Sequence, residues 1–287
     1  MPELPEVETV LRGLAAHALG RRIAAVEIRH AGVIIGSADE FAATVTGGLI
    51  RRLDRKGKAL AIELARQNGG PPRFLLLRLG MTGQFVVARR DAPLLPHTHV
   101  LLSLDDGADE LRYRDTRRFG RLRCCTADEL EAIFGRLGPD AQQIDEAQFL
   151  AALKNRRGAI KSWLMNQQFL SGLGNIYADE ALFLARVHPL TPAGRLVSDA
   201  ARRLYRAVRK VLDHAVALQG TSFRDYIDIE GRPGNFLPRL RVYQRTGEPC
   251  RRCRRPIRRL IVAGRSTHYC PRCQPRPRRV AVMRGPR

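Results

Sequence analysis

The chain has 287 residues, enough for two compact domains with separate cores. Apolar residues at 44% and charged residues at 27% are a globular balance and exclude wholesale disorder. A net charge of +22 is far from ordinary and points to a polyanionic partner, nucleic acid or an acidic membrane. Of the 50 basic residues 45 are Arg, which grips phosphate and base edges bidentately where Lys makes point contacts, although codon bias in a GC-rich genome gives the same excess. The charge is uneven: residues 239–287 hold 16 Arg against one acid, Glu248, a net of +15, and the other 238 residues carry +7. No run of about 18 apolar residues occurs, so no transmembrane helix is expected. The start, Met1-Pro-Glu-Leu-Pro-Glu6, lacks the basic-then-apolar pattern of a signal peptide, and the expected compartment is the cytoplasm.

In chain order, residues 5–19 read as a helix. Pro5 suits its first position, Glu6 and Glu8 its positive end, and Val7, Val10, Leu11 and Leu14 share a face. From about 22 to 125 the pattern is that of short strands. Lys58 to Leu64 alternates, with Leu60, Ile62 and Leu64 on one side, and Phe74–Leu79, Phe85–Val87 and Val100–Leu104 follow between Gly, Pro and Asp turns. This spacing predicts a β-sandwich or barrel. Gly135–Asp140 is the best linker. Beyond it the period turns helical over 146–153, 157–167, 174–186 and 196–218, with Gly172 and Gly174 breaking the second from the third as a helix-turn-helix requires. From Phe236 the chain is strand-like and carries cysteines, and the Pro/Arg-rich end is expected to be disordered. The class is therefore α+β. The expected domains are a sandwich over 1–134, a linker over 135–145, a helical domain over 146–235, a finger over 236–275 and a basic tail over 276–287.

Cys250-x2-Cys253 and Cys270-x2-Cys273, 16 residues apart, have the spacing of a four-thiolate zinc site; two disulfides or free thiols are the other reading. Four thiolates leave no position for water, so the expected Zn2+ is structural. Cys124 and Cys125 read as small buried hydrophobes. Seven arginines between Cys250 and Cys270 suit a reader of duplex phosphate, or else a solvated basic loop. His97 and His99 are expected to share one strand face, with no third ligand to join them, and read as structural. Trp163, Tyr177 and Tyr243 read as core.

Five segments, in order, resemble one family. They are Met1-Pro-Glu-Leu-Pro-Glu-Val-Glu-Thr-Val10, Arg55-Lys-Gly-Lys58, Leu79-Gly-Met-Thr-Gly83, Asp115-Thr-Arg-Arg-Phe-Gly120 and Gly172-Leu-Gly-Asn-Ile-Tyr-Ala-Asp-Glu180, closed by the CxxC pair. Together they resemble the formamidopyrimidine-DNA glycosylases, bacterial enzymes that repair oxidised purines, over about residues 1–275. The resemblance implies an N-terminal β-sandwich flanked by helices, a helix-two-turn-helix domain and a C-terminal four-Cys zinc-finger hairpin. It also implies a bifunctional glycosylase and AP lyase acting on double-stranded DNA that contains oxidised bases, with one structural Zn2+, no organic cofactor, no membrane, and a monomer as the working form.

On that resemblance Pro2, exposed once Met1 is removed, is the nucleophile. A terminal secondary amine with a pKa of roughly 8 is partly neutral at pH 7. Glu3 is the general acid and base beside it, and Glu6 is a supporting carboxylate; on their own the three are also good helix-start residues. Lys58 matches the family's strand lysine at the active site. Everting a base costs a few kcal/mol of stacking and leaves a gap, and Met81, Arg117 and Phe119 match the three residues that fill it, Arg117 favouring cytosine opposite the lesion. Without that context they read as core filler, surface charge and core. Lys161, Asn175 and Arg265 match positions that face the DNA backbone, although Asn175 also suits a helix cap. Two departures stand out. Gln219-Gly-Thr-Ser-Phe-Arg224 replaces a more usual Gly-Gly-Ser-Thr-Leu-Arg, and Gln244 sits where the family often has Gly. The alternatives are an endonuclease VIII-type enzyme for oxidised pyrimidines, against which Leu4 and the complete trio stand, and a non-catalytic zinc-finger binder, for which an amine beside a carboxylate has no use.

Overall fold

The computed structural model describes residues 2–105, 107–223 and 226–276. The basic tail expected over 276–287 lies outside the described residues, apart from Arg276. The chain divides into two compact units. The first comprises residues 1–143, 170–173 and 212–239 and the second residues 144–169, 174–211 and 240–287. Among the described residues no helix is long and apolar enough to cross a membrane.

Unit 1 opens with α1 (Leu4–His17), then β1 (Ile23–Ile28), α2 (Ala38–Val45), β2 (Leu49–Lys56), β3 (Ala59–Ala65), β4 (Arg73–Arg78), β5 (Gly83–Arg89), β6 (Thr98–Leu104), β7 (Asp109–Asp115), β8 (Arg121–Cys125) and α3 (Ala127–Gly135). The strands form two antiparallel four-stranded sheets, β1-β6-β7-β5 and β2-β3-β4-β8. Their inner faces close on one core that also takes Val7, Val10 and Leu14 of α1 and Phe41 and Val45 of α2, which is the expected sandwich with flanking helices. Leu60, Ile62 and Leu64 enter that core as their alternation predicts. Ala59 and Ala61 are buried as well, because α3 lays Leu130, Ile133 and Phe134 over the opposite face of β3 and β4.

Three sequence expectations need correcting. The stretch from 22 to 125 is not all strand: Ser37 caps α2 by accepting the Glu40 N–H, a local start signal inside a β-rich region. The helix expected over 157–167 shortens to α5 (Ile160–Leu164). His97 lies outside β6 in a left-handed turn (φ 65°), so it does not share a strand face with His99. Cys125 is a buried core side chain as expected, whereas Cys124 is only partly buried, its thiol pushed up by burial to about 11.

Unit 2 holds α4 (Glu146–Leu153), α5, α6 (Asn175–Ala185), the first part of α7 (Ser198–Ala217) and the hairpin β9 (Arg258–Val262) and β10 (Arg265–Tyr269). The region from Phe236 to Ile257 contains a short 3-10 turn at Leu237–Arg239 and no strand, so the strand-like reading holds only for the hairpin. α4 ends where the sequence places it, and Asp145 and Gln148 make the capping box that starts it.

One ion cluster ties unit 1 together outside the core. Arg55, 5% exposed, donates to Glu8 of α1 at 2.8 Å, to Asp140 at 2.6 Å and to Gln142 at 3.2 Å. Asp140 also accepts the Gly57 N–H at 2.8 Å, which fixes the turn between β2 and β3. Burial alone would raise the Glu8 carboxyl, but Arg55 and Arg12 hold it below the usual carboxylate range. Removing Arg55 leaves the buried Asp140 without its cation and the partly buried Glu8 with Arg12 alone, so Arg55→Ala is expected to lower stability by about 3 kcal/mol, read as a shifted urea midpoint at neutral pH.

Candidate functional site

The start of α1 is built from buried polar groups. Pro2 and Glu3 are buried, Glu3 completely. Glu3 is the N-cap and forms a capping box with Glu6. Glu6, 1% exposed, does more than cap. Its Oε2 accepts the Glu3 N–H at 2.7 Å and its Oε1 accepts the Thr221 N–H at 2.8 Å. Gly220, at φ 84°, has no room for a Cβ, which would stand 2.8 Å from Glu6 Oε1. Tyr226 donates its hydroxyl to the Glu6 carbonyl at 3.4 Å, and burial pushes its phenol up, so it stays a donor. Leu4 donates its N–H to the Gly172 carbonyl at 3.0 Å. One carboxylate thus fixes both the residue after Pro2 and the loop that begins at Gln219.

Lys58 is not on a strand. β2 and β3 are joined by the two-residue turn Gly57–Lys58, with Gly57 at φ 59°, and Lys58 is half-buried there. The period-2 reading absorbed it into β3 because a two-residue hairpin leaves no gap in the alternation. Asp140 and Arg55 hold this turn.

Met81, Arg117 and Phe119 lie on two loops of the same unit, 79–83 before β5 and 115–120 before β8. Phe119 is 55% exposed, the wrong place for a core aromatic. The Arg117 guanidinium stacks 4.6 Å from the centre of its ring. Met81 is half-buried.

In unit 2, Asn175 is the first residue of α6, but the cap is Gly174. The Asn175 Oδ1 is buried and has no hydrogen-bond partner among the described residues. Arg265 starts β10 and is exposed, next to the left-handed pair Ala263 and Gly264 at the hairpin tip. Lys161 requires a correction. It is completely buried, pairs with Asp179 at 2.6 Å, and donates to the Ser266 carbonyl at 3.0 Å and Thr267 Oγ1 at 2.8 Å. Its ammonium is spent inside the unit, fastening β10 to α5 and α6, and does not face a backbone phosphate.

Asp179 and Glu180 were quoted above only as part of a motif, and their work was missed. Asp179 Oδ2 accepts the His268 N–H at 2.8 Å, while Glu180 Oε1 accepts the N–H groups of Arg241, Val242 and Tyr243 at 2.9–3.0 Å. Burial pushes the Glu180 carboxyl up, against the three N–H donors. The available signal was two adjacent acids in an otherwise apolar helix, Asn-Ile-Tyr-Ala-Asp-Glu-Ala-Leu-Phe-Leu-Ala, which must face inward with it. Trp163 lies edge-on to Phe169 under Arg156, and Tyr177 is core.

The four thiols of Cys250, Cys253, Cys270 and Cys273 lie within 4.8 Å of one another. Sulfurs about 2.3 Å from a common centre fit that spread, so the residues fit one tetrahedral Zn2+. The Arg252 N–H points at Cys250 Sγ and the Cys273 N–H at Cys270 Sγ, each at 3.4 Å, as thiolate ligands require. No open coordination position is left, and the zinc is structural.

Three family profiles match in order: the formamidopyrimidine-DNA glycosylase N-terminal domain over residues 1–122, the helix-two-turn-helix domain of that glycosylase over 137–226, and the zinc finger it shares with isoleucyl-tRNA synthetase over 247–276. Formamidopyrimidine-DNA glycosylases of Solibacter usitatus and Heliobacterium modesticaldum are each 45% identical, over 96% of this chain and all of theirs. Solved structures of the Lactococcus lactis enzyme, one with DNA containing Fapy-dG and one with an abasic site, superpose with a TM-score of 0.88 at 34% identity, covering 96% of this chain and all of theirs. The chain belongs to the formamidopyrimidine-DNA glycosylase family, DNA glycosylases of base excision repair with lyase activity at abasic sites. Its partner is DNA.

If Lys161 is a fastener, Lys161→Met leaves the Asp179 carboxylate buried without its ammonium partner, and unit 2 is expected to lose about 3 kcal/mol in a thermal or urea melt. The slope of log binding constant against log salt is expected to stay unchanged, where loss of a phosphate contact would reduce it by about 1.

Proposed function

We propose that this chain excises oxidised purines, 8-oxoguanine and formamidopyrimidines paired with cytosine, from duplex DNA, and cuts the strand at the resulting abasic site through a Schiff base on Pro2. The observation that carries this reading is the buried Pro2-Glu3-Glu6 start of α1, where the one Glu6 carboxylate holds both the residue after Pro2 and the loop at Thr221. With Met1 removed, the neutral amine of Pro2 attacks C1′ of the damaged nucleotide, and the base leaves with the bonding electron pair and takes up a proton. Glu3 protonates the ring oxygen, the sugar opens, and an iminium joins protein and sugar. The iminium acidifies the C2′ hydrogens. Loss of one expels the 3′ phosphate, a second elimination expels the 5′ phosphate, and hydrolysis of the iminium returns the amine. Lys58, held in its turn by the Arg55–Asp140 cluster, supplies the cation near the transferred protons.

Met81 and Phe119 fill the gap left by the everted base, and Arg117 donates to the orphaned cytosine. Asn175 and Arg265 hold flanking phosphates, the first with an amide whose oxygen is already buried. The zinc shapes the finger and takes no part in the chemistry. We place the enzyme with chromosomal DNA in the cytoplasm, working as a monomer, with the sandwich over 1–134 and the finger over 236–275 as separate functional parts.

Borohydride trapping tests this. A covalent adduct is expected when the protein and an 8-oxoguanine:cytosine duplex are mixed with reductant, and none when Met1 is retained ahead of Pro2. No adduct with the processed protein, or an undiminished one with the blocked terminus, would sink the mechanism. A faster turnover of thymine glycol than of 8-oxoguanine would instead favour the pyrimidine-specific reading.

A further inference from the structure

The loops that carry Met81 and Arg117–Phe119 meet at one buried carboxylate. Asp115, the last residue of β7, is completely buried. Its Oδ1 accepts the hydroxyl of Thr82, the neighbour of Met81, in a short hydrogen bond, and the backbone N–H of Arg117 at 3.2 Å. Its Oδ2 accepts the backbone N–H of Gly120, the neighbour of Phe119, at 2.7 Å, and the hydroxyl of Tyr113 at 3.1 Å. The Arg117 N–H lies 3.1 Å from Thr82 Oγ1 as well, closing a ring of hydrogen bonds across the two loops. The loops also touch backbone to backbone. A Cβ on Gly80, which sits at φ 65°, would lie 2.5 Å from the Gly120 nitrogen, and one on Gly120 would collide with the Tyr113 hydroxyl.

No donor to Asp115 comes from the side chain of Met81, Arg117 or Phe119. The clamp therefore fixes the three backbones and leaves the three side chains available. Its four donors occupy the carboxylate on both oxygens, so it has no role in proton transfer. Burial would raise the Asp115 carboxyl, but the bonds from Thr82, Gly120, Tyr113 and Arg117 hold it below the usual range, and it is ionised throughout neutral pH. Burial and Asp115 together push the Tyr113 phenol up, so Tyr113 remains a donor.

We propose that Asp115 is a positioning residue that docks the 79–83 and 115–120 loops into one preformed wedge, so that Met81, Arg117 and Phe119 enter the DNA stack as a unit. This rests on the reading of those three residues given above. Preforming matters because the wedge must offset the unstacking cost at the moment the base leaves, and two separately mobile loops would have to be ordered at that step.

The test uses Asp115→Asn, which keeps the shape but turns one acceptor oxygen into a donor facing donors, and Thr82→Val, which removes a single donor at constant volume. Single-turnover excision of 8-oxoguanine from duplex DNA is expected to fall on the order of 100-fold in Asp115→Asn, as for a misplaced positioning group, with a smaller fall in Thr82→Val and recovery in Thr82→Ser. Strand cleavage at an abasic site in single-stranded DNA, where no gap needs filling, is expected to stay within about twofold of the parent in both variants. A 2-aminopurine beside the lesion is expected to show a smaller fluorescence rise on binding. Equal loss on the duplex and single-stranded substrates, or parent-like duplex excision by both variants, would overturn the clamp. A Met81→Ala arm separates the two levels: full duplex excision by that variant would overturn the wedge reading itself, and the clamp with it.

Discussion

The structure hangs on the Glu6 carboxylate. It is almost fully buried and accepts backbone N–H groups from two stretches far apart in sequence, Glu3 and Thr221. A buried carboxylate is tolerated only where such donors converge, and losing one leaves an unsatisfied charge. The position of Glu3, the start of α1 and the conformation at Gly220 are therefore not independent. Whatever Pro2 does, it does from a backbone that Glu6 holds still.

The same device recurs across a chain whose net charge is strongly positive. A minority of its 28 acids are turned inward and used as organisers. Asp140 holds the turn that carries Lys58, Asp115 the two loops of the wedge, Asp179 the finger strand β10, and Glu180 the chain entering the finger. Arginines such as Arg117 and Arg265 remain on the surface, where a polyanion finds them. Buried acids thus anchor the elements that present the cations. The thiolates of the finger do the same at its base. The charge that first suggested a nucleic-acid partner is thus a surface property, and the precision of the site is set by carboxylates beneath it.

Much of this was legible in the sequence. α4 matched its expected range, α1 and α6 came within one or two residues at each end, and the inward face of β3 followed from Leu60, Ile62 and Leu64, because helical and alternating periods survive folding. The zinc ligands were legible because the chemistry imposes their spacing. What failed was tertiary in origin. Lys58 looked like a strand residue because a two-residue turn preserves the alternation. Lys161 looked like a surface cation because nothing local shows that Asp179, 18 residues on, turns inward to meet it. α2 was hidden in a β-rich stretch whose cap signal at Ser37 is a single residue. The two departures from the family pattern became clear only with the backbone in hand: Gln219 and Gln244 sit at φ 61° and 57°, so both hold the left-handed conformation that Gly takes at no cost.

The most direct measurement on Glu6 is the single-turnover rate of strand cleavage at a preformed abasic site by Glu6→Gln. Glutamine keeps the size and one acceptor oxygen but presents a donor to the second N–H. A fall on the order of tenfold to 100-fold is expected, with the zinc content and DNA affinity of the finger unchanged. A parent-like rate in a folded Glu6→Gln protein would contradict the claim that this carboxylate positions the start of the chain for chemistry.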